Sequence, residues 1–182
     1  MIIGVASFQG ACSEHIPHLR QRGWRERLVV TGEDLEGLDG LIFPGGESTV
    51  MRRFFTRPSF QTALSAWRKR GRPVWGICAG ALLLAREVDG RENPRGLVDA
   101  SLERNAYGRH RESGYREILY ENGTPVHGLF IRAPRISSTG RDVCILARSS
   151  GDPVVVRQGR VWLTTWHPEL AEQSPLYDMI FS

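Results

Sequence analysis

The chain has 182 residues, 41% hydrophobic and 24% charged, with a formal net charge of +4. That composition excludes disordered, fibrous and membrane-embedded classes, and the length suits one domain, residues 1–182, burying about 70% of its unfolded surface without metal or disulfide. Its basic residues are almost all Arg, scattered among acids and apolar positions with no nucleic-acid-binding signature, so a solvated surface or an acidic protein partner is expected and nucleic acid is not.

Residues 2–8, apolar on both faces, read as a buried parallel strand. No basic leader precedes them and no stretch approaches the length of a membrane span, which predicts a cytoplasmic protein without membrane association. Helical pattern follows over residues 14–22, with Ile16 and Leu19 on one side and Pro17 tolerated in the first turn. His15 and His18 lie one turn apart without a third metal ligand, so they are expected on an exposed, partner-facing side of that helix.

Residues 28–30 are a second short strand and residues 40–44 a third, ending in Gly45-Gly46-Glu47-Ser48-Thr49. Ser48 is the expected N-cap of a helix through Phe55, and residues 59–70 form another. A strand over residues 74–76 and a helix over residues 80–87 flank Cys78. Strand and helix thus alternate, which predicts an α/β fold: a three-layer flavodoxin-like sandwich with a mostly parallel central sheet and helices on both faces.

Beyond a polar loop at residues 89–96, short strands and turns predict a small antiparallel extension. Glu121-Asn122-Gly123 marks a turn, residues 143–147, 154–157 and 160–165 read as strands, and Gln158-Gly159 joins the last two as a hairpin. His167-Pro168-Glu169-Leu170 follows a strand end, and a short helix from about Ser174 closes the chain. Trp75, Trp162 and Trp166 flank strands as core or pocket wall.

Gly76-Ile77-Cys78-Ala79-Gly80 carries the chemistry. A strand passing at once into a helix through Gly-x-Cys-x-Gly is a nucleophile elbow, with the Ala79 N–H available as an oxyanion donor. The helix N-terminus and a neighbouring imidazolium both favour the thiolate. His167 is the candidate base, and Glu169, two residues on across Pro168, can fold back to fix its tautomer. Gly45 and Gly46 can bring backbone N–H groups to a substrate oxygen opposite Ala79. All three constellations fall at strand ends, where ligands bind in open parallel sheets, so a Cys78-His167-Glu169 site is expected. Cys12 and Cys144 read as structural thiols, and the odd number of cysteines without a Cys-x-x-Cys pair indicates reduced thiols and no metal.

Gly76-Ile-Cys78-Ala-Gly80 with His167-Pro168-Glu169 resembles the class I, triad-type glutamine amidotransferases. Phe8-Gln9-Gly10 with Glu14-His15, Pro44 to Thr49, Glu103-Arg104-Asn105-Ala-Tyr107-Gly108-Arg109, Phe130-Ile131-Arg132-Ala133-Pro134 and His167 to Leu170 resemble, over nearly the whole chain, the glutaminase subunits of ribose-5-phosphate-dependent pyridoxal 5′-phosphate synthase. The resemblance implies that L-glutamine is hydrolysed to glutamate and ammonia, and that the ammonia passes to a synthase subunit in a hetero-oligomeric complex. No metal or organic cofactor is implied, since pyridoxal phosphate is the partner's product. It also implies glutamine contacts at Gly46, Glu47, Ser48, Arg104, Ile131 and Arg132, an oxyanion hole at Gly46 and Ala79, and a switch at Gln9 coupling partner docking to that hole.

Physically, Arg104 or Arg132 can hold the substrate's α-carboxylate in a bidentate fork, and Glu47 or a backbone carbonyl can receive its ammonium. A salt bridge within the protein is the competing use of either arginine. The chain departs from the family pattern at Ile77, where Thr or Val is expected, and by a one-residue insertion at Gly114 within the segment 110–117. A thiol hydrolase or cysteine peptidase on the same fold, and a non-catalytic binding subunit, are the alternatives.

Overall fold

In the computed structural model, which describes residues 1–106 and 113–182, the apolar runs of the first half become neighbouring strands. These are β1 (Ile2–Ala6), β2 (Arg25–Val29), β3 (Gly40–Phe43) and β4 (Val74–Ile77). Helix α1 (His15–Gln21) lies between β1 and β2, a 3₁₀ turn (Glu33–Leu35) between β2 and β3, and α2 (Ser48–Phe55) and α3 (Pro58–Arg68) between β3 and β4, with α4 (Ala79–Leu84) following β4. After α4 come β5 (Ala85–Val88), β6 (Arg91–Glu92), β7 (Val98–Glu103), β8 (Gly114–Tyr120), β9 (Pro125–Phe130), β10 (Arg135–Thr139), β11 (Cys144–Ser149), β12 (Asp152–Gln158) and β13 (Val161–Thr164). Helix α5 (Leu176–Phe181) closes the chain.

Among the described residues the main sheet has nine strands, ordered β2-β1-β3-β4-β13-β12-β11-β8-β9. From β2 through β13 neighbours pair in parallel, and from β13 to β9 they pair antiparallel. Side chains alternate between faces along each strand. Leu41, Phe43, Val74 and Leu163 therefore join one apolar cluster with Met51 and Phe55 of α2, Phe60 and Leu64 of α3, and α4. Ile42, Trp75, Ile77 and Trp162 join the opposite cluster with Leu19 of α1 and Leu176, Tyr177, Ile180 and Phe181 of α5. Helices thus cover both faces, as the alternating pattern predicts.

The antiparallel extension continues the main sheet, and a second sheet, β10-β7-β5-β6, packs Val88, Val98, Ala100, Leu102 and Ile136 into the first cluster. The expected helix over residues 80–87 stops at Leu84. Asn93 is buried there, and its Nδ2 donates to the Leu83 and Ala85 carbonyls at 2.9 and 2.8 Å, satisfying acceptors that the helix end leaves open. The Leu97 N–H adds a bond to Leu84 O at 2.7 Å, and Ala85 onward pairs with β7 instead. The expected cap also moves: Ser48 is the first helical residue, Glu47 holds the cap position, and no side chain caps α2. The turn at residues 121–123 and the hairpin at 158–159 form as expected, Gly123 at φ +83° and Gly159 at φ +57°. Of the family-like motifs, Tyr107, Gly108 and Arg109 lie outside the described residues, as do residues 110–112 of the segment carrying the insertion.

Candidate active site

The strands that matter are β3, β4 and β13. Parallel pairing aligns Phe43 with Gly76 and Thr164 with Ile77, so all three carboxyl ends open at one edge. The turn after β4 holds Cys78 at φ +49° and ψ −103°, a conformation that L residues resist and that costs of order 1–3 kcal/mol. Three anchors impose it. Cys78 N–H donates to Thr164 O at 2.8 Å, Gly80 N–H to Pro44 O at 3.2 Å, and Leu82 N–H to Cys78 O at 3.2 Å. Both flanking glycines are sterically required: a Cβ on Gly80 would sit 2.0 Å from Phe43 O, and one on Gly76 would sit 2.7 Å from Gly80 O. The thiol is thereby held at the start of α4, 8% exposed.

His167 arrives from the end of β13, its N–H donating to Leu129 O at 2.9 Å. Its Nδ1 lies 2.7 Å from Glu169 Oε1, within the short 3₁₀ turn Pro168–Leu170. Cys78 lines the same cleft and acts electrostatically on this ring, and with Nδ1 engaged by Glu169 the nitrogen left for the thiol is Nε2. Burial opposes the imidazolium, but its interactions with Cys78 and with the hydrogen-bonded Glu169 outweigh it and raise the His167 pKa to about 10. Burial likewise pushes Glu169 up, and the hydrogen bond to His167 with the nearby imidazole rings brings it below the usual carboxylate range.

The loop after β3 faces this pair. Gly45 lies directly against the His167 ring. Its carbonyl accepts from Ala11 N–H at 3.0 Å, so the Gly46 N–H of the same trans peptide points away from the Ala11 loop. Gln9 Oε1 accepts from Glu47 N–H at 2.9 Å, and a Cβ on Gly46 would meet Gly10 Cα at 2.9 Å, so the two loops pack backbone to backbone.

Together these residues line a cleft of about 660 Å³, which Gln9, Gly46, Glu47, Ser48, Cys78, Ala79, Arg104, Ile131, Arg132, His167 and Glu169 all reach. Every residue expected at the site from the sequence therefore meets at one opening. The two arginines differ. Arg104 is tied to Asp89, through Nη1 to Oδ2 at 3.1 Å and its N–H to Oδ1 at 2.9 Å. The Arg132 guanidinium pairs with no carboxylate among the described residues, and its backbone sits at φ +44° with its N–H on Ser113 Oγ at 3.3 Å.

Two residues behind the site escaped the sequence reading. His15 and His18 are buried, not exposed. His15 Nδ1 lies 2.7 Å from the Tyr177 hydroxyl, and His18 Nε2 donates to the Glu169 carbonyl at 3.1 Å. The signal was their spacing one turn apart on the same side as Leu19, a core residue.

The model of the SNO glutamine amidotransferase family matches residues 5–181. The pyridoxal 5′-phosphate synthase subunit PdxT of Halalkalibacterium halodurans is 42% identical over 172 residues, covering 93% of this chain and 88% of that protein. The PdxT of Thermotoga neapolitana is also 42% identical, over 180 residues, covering 97% of this chain and 96% of that protein. A crystal structure of a glutamine amidotransferase superposes with a TM-score of 0.91 at 37% identity, covering 99% of this chain and 97% of its own.

Proposed function

The chain belongs to the SNO glutamine amidotransferase family, and from that membership we propose that it is the glutaminase subunit of a pyridoxal 5′-phosphate synthase. It acts as a single domain in the cytoplasm, hydrolysing L-glutamine and handing the ammonia to a synthase subunit. Among the described residues no helix is long and apolar enough to cross a membrane, which is compatible with that location.

The observation that carries the reading is the meeting of Cys78, His167 and Glu169 on one cleft, with His167 Nδ1 2.7 Å from Glu169 Oε1. The thiolate of Cys78 attacks the carboxamide carbon of glutamine. N–H groups of Gly46 and Ala79 hold the oxyanion, Ala79 being the first residue of α4, whose N–H has no partner within the helix. His167 passes its proton to the departing nitrogen, ammonia leaves, and a γ-glutamyl thioester remains. Water, deprotonated by His167, then cleaves the thioester to glutamate and the free thiol. Glu169 keeps the Nδ1–H of His167 in place and balances its positive charge.

Gly46, Glu47, Ser48, Arg104, Ile131 and Arg132 form the glutamine pocket, all lining the cleft beside Cys78. Gln9 serves as the activation switch: its side chain holds Glu47 N–H, one residue past Gly46, so displacement of the Gln9 loop by a docking partner moves the oxyanion donor. The test is ammonia release from glutamine with and without the cognate synthase subunit. Release that rises with the partner and disappears in Cys78→Ala supports the proposal. Release retained in Cys78→Ala removes the triad assignment.

A further inference from the structure

Behind the triad lies a second polar layer that hydrolysis as described does not use. Glu169 presents Oε1 to His167, but its Oε2 is buried without a hydrogen-bond partner among the described residues. His15 is fully buried, and its Nε2 is likewise without a partner. The two residues interact electrostatically, each acting on the other's charge state. A buried carboxylate oxygen without a donor is strongly disfavoured, and so is a buried ring nitrogen without a partner. The two atoms do not hydrogen-bond each other directly, and a single water bridging them would satisfy both.

The tautomer decides the direction. Burial lowers the His15 pKa to about 4 despite the opposing charge of Glu169, so the ring is neutral and carries a single N–H. If that hydrogen were on Nδ1, a bare Nε2 lone pair would face the negative carboxylate. With the hydrogen on Nε2, Nδ1 accepts the hydroxyl of Tyr177 at 2.7 Å and Nε2–H is free to donate. Glu169 therefore selects the second arrangement. His18 adds a further tie from the same helix, donating Nε2–H to the Glu169 carbonyl at 3.1 Å and stacking on Tyr177 with ring centroids 4.8 Å apart.

We propose that His15 is a positioning residue for the triad, its Nε2–H reaching Glu169 Oε2 through one buried water while Tyr177 fixes its tautomer. The proposal rests on the triad reading above. Helix α1 then holds both the backbone and the carboxylate of Glu169, and the geometry Glu169 imposes on His167 depends on residues at the two ends of the chain. The titratable groups facing His15 are Glu14 and His18 of its own helix, His167 and Glu169 after β13, and Tyr177 of α5.

The test uses the complex with the synthase subunit and four proteins: wild type, His15→Phe, His15→Gln and Tyr177→Phe. Two readouts are taken, steady-state ammonia release and the pH dependence of Cys78 alkylation by iodoacetamide, read by mass spectrometry of the Cys78 peptide. His15→Phe keeps a ring but has no donor, and kcat is expected to fall by about 10- to 100-fold, the usual cost of losing a supporting hydrogen bond, with KM nearly unchanged. Alkylation shifts to higher pH because the imidazolium is less well supported. His15→Gln restores an N–H donor and part of both properties, and Tyr177→Phe falls between wild type and His15→Phe. Wild-type kcat and an unmoved alkylation profile in His15→Phe overturn the proposal. So does loss of kcat in both His15 variants with an unmoved profile, which marks His15 as packing alone. If the wild-type complex releases no ammonia, the glutaminase reading fails instead, and the alkylation profiles, which need no glutamine, still decide the role of His15.

Discussion

Gly45 lies so close to His167 that a methyl group on it would sit 2.6 Å from Cε1 and 3.1 Å from Nδ1 of the ring. The loop that carries the proposed oxyanion donor and the imidazole proposed to move the proton are thus set against each other with no intervening side chain. Gly45→Ala forces the ring to move by a few tenths of an ångström or more, and displacement of a catalytic group on this scale can cost about 100-fold in rate. Because His167 is buried and hydrogen-bonded to Glu169, the displacement is expected to lower thermal stability as well as rate. Circular-dichroism melting beside kcat for ammonia release checks this; a Gly45→Ala protein with wild-type kcat shows that the ring has room to yield.

Cys78 stores backbone strain for the sake of its position. Both Cys78→Ala and Cys78→Gly remove the nucleophile, but only glycine relaxes at φ +49° and ψ −103°. Cys78→Gly is therefore expected to be more stable than Cys78→Ala by about 1 kcal/mol, within the range for such strained residues. Urea unfolding of the two inactive variants measures the difference without interference from catalysis. Equal midpoints mean that the turn is not strained.

Much of this site was legible because its pieces are local. Gly76-x-Cys78-x-Gly80 and Gly45-Gly46 are turns whose backbone approach excludes side chains, and such positions show in a sequence as glycine. The strand ends followed from short apolar runs that are buried on both faces. What did not show depends on partners distant in the chain. The end of α4 is set by Asn93, which caps it from the following loop, and Ala85 becomes a strand residue by pairing with β7. His15 was read as surface because polar residues usually are, yet its partner Tyr177 lies 162 positions away. The fate of Arg104 turned on Asp89, which no spacing rule connects to it.

That pairing separates the two arginines of the cleft. A glutamine α-carboxylate needs a cation, and a hydrogen bond to a charged group contributes about 1.5–3 kcal/mol, a factor of about 10 to 100 in binding. Arg132 has its guanidinium uncommitted to any described carboxylate, whereas Arg104 is already held by Asp89. Arg132→Ala is expected to raise KM for glutamine by about tenfold or more, on that scale, and Arg104→Ala by less. Saturation curves for both variants decide it: a larger KM effect at Arg104 places the carboxylate there, with Asp89 as the group it displaces.

Acid should loosen the fold through His15. The folded pKa of about 4 lies below the ordinary value of 6.5, so the unfolded chain binds the extra proton first. The stability contributed by a neutral His15 is complete above about pH 6.5 and is lost as pH falls through about 4. Glu169, also lowered, loses its contribution only below the ordinary carboxylate value of 4.5. The midpoint of urea unfolding is expected to decline between pH 6.5 and 4 in the wild type and to decline less steeply in His15→Phe. Parallel declines in the two proteins assign the acid sensitivity to another group.

At the other end of the scale, His167 should keep its proton well into alkaline pH. Its pKa stands near 10 because its interactions with Cys78 and Glu169 together outweigh burial, so the proposed acid is present throughout the neutral range and lost only as pH rises through about 10. Glu169→Gln keeps an acceptor oxygen for Nδ1–H but removes the carboxylate charge that supports the imidazolium. The alkaline limb of kcat/KM is therefore expected to move to lower pH in Glu169→Gln, together with a fall in kcat of about 100-fold or more by analogy with replacement of a triad carboxylate by its amide. Profiles of ammonia release from pH 6 to 10.5 with the synthase subunit present measure both. A limb that stays in place while kcat falls means that Glu169 orients the ring without setting its charge.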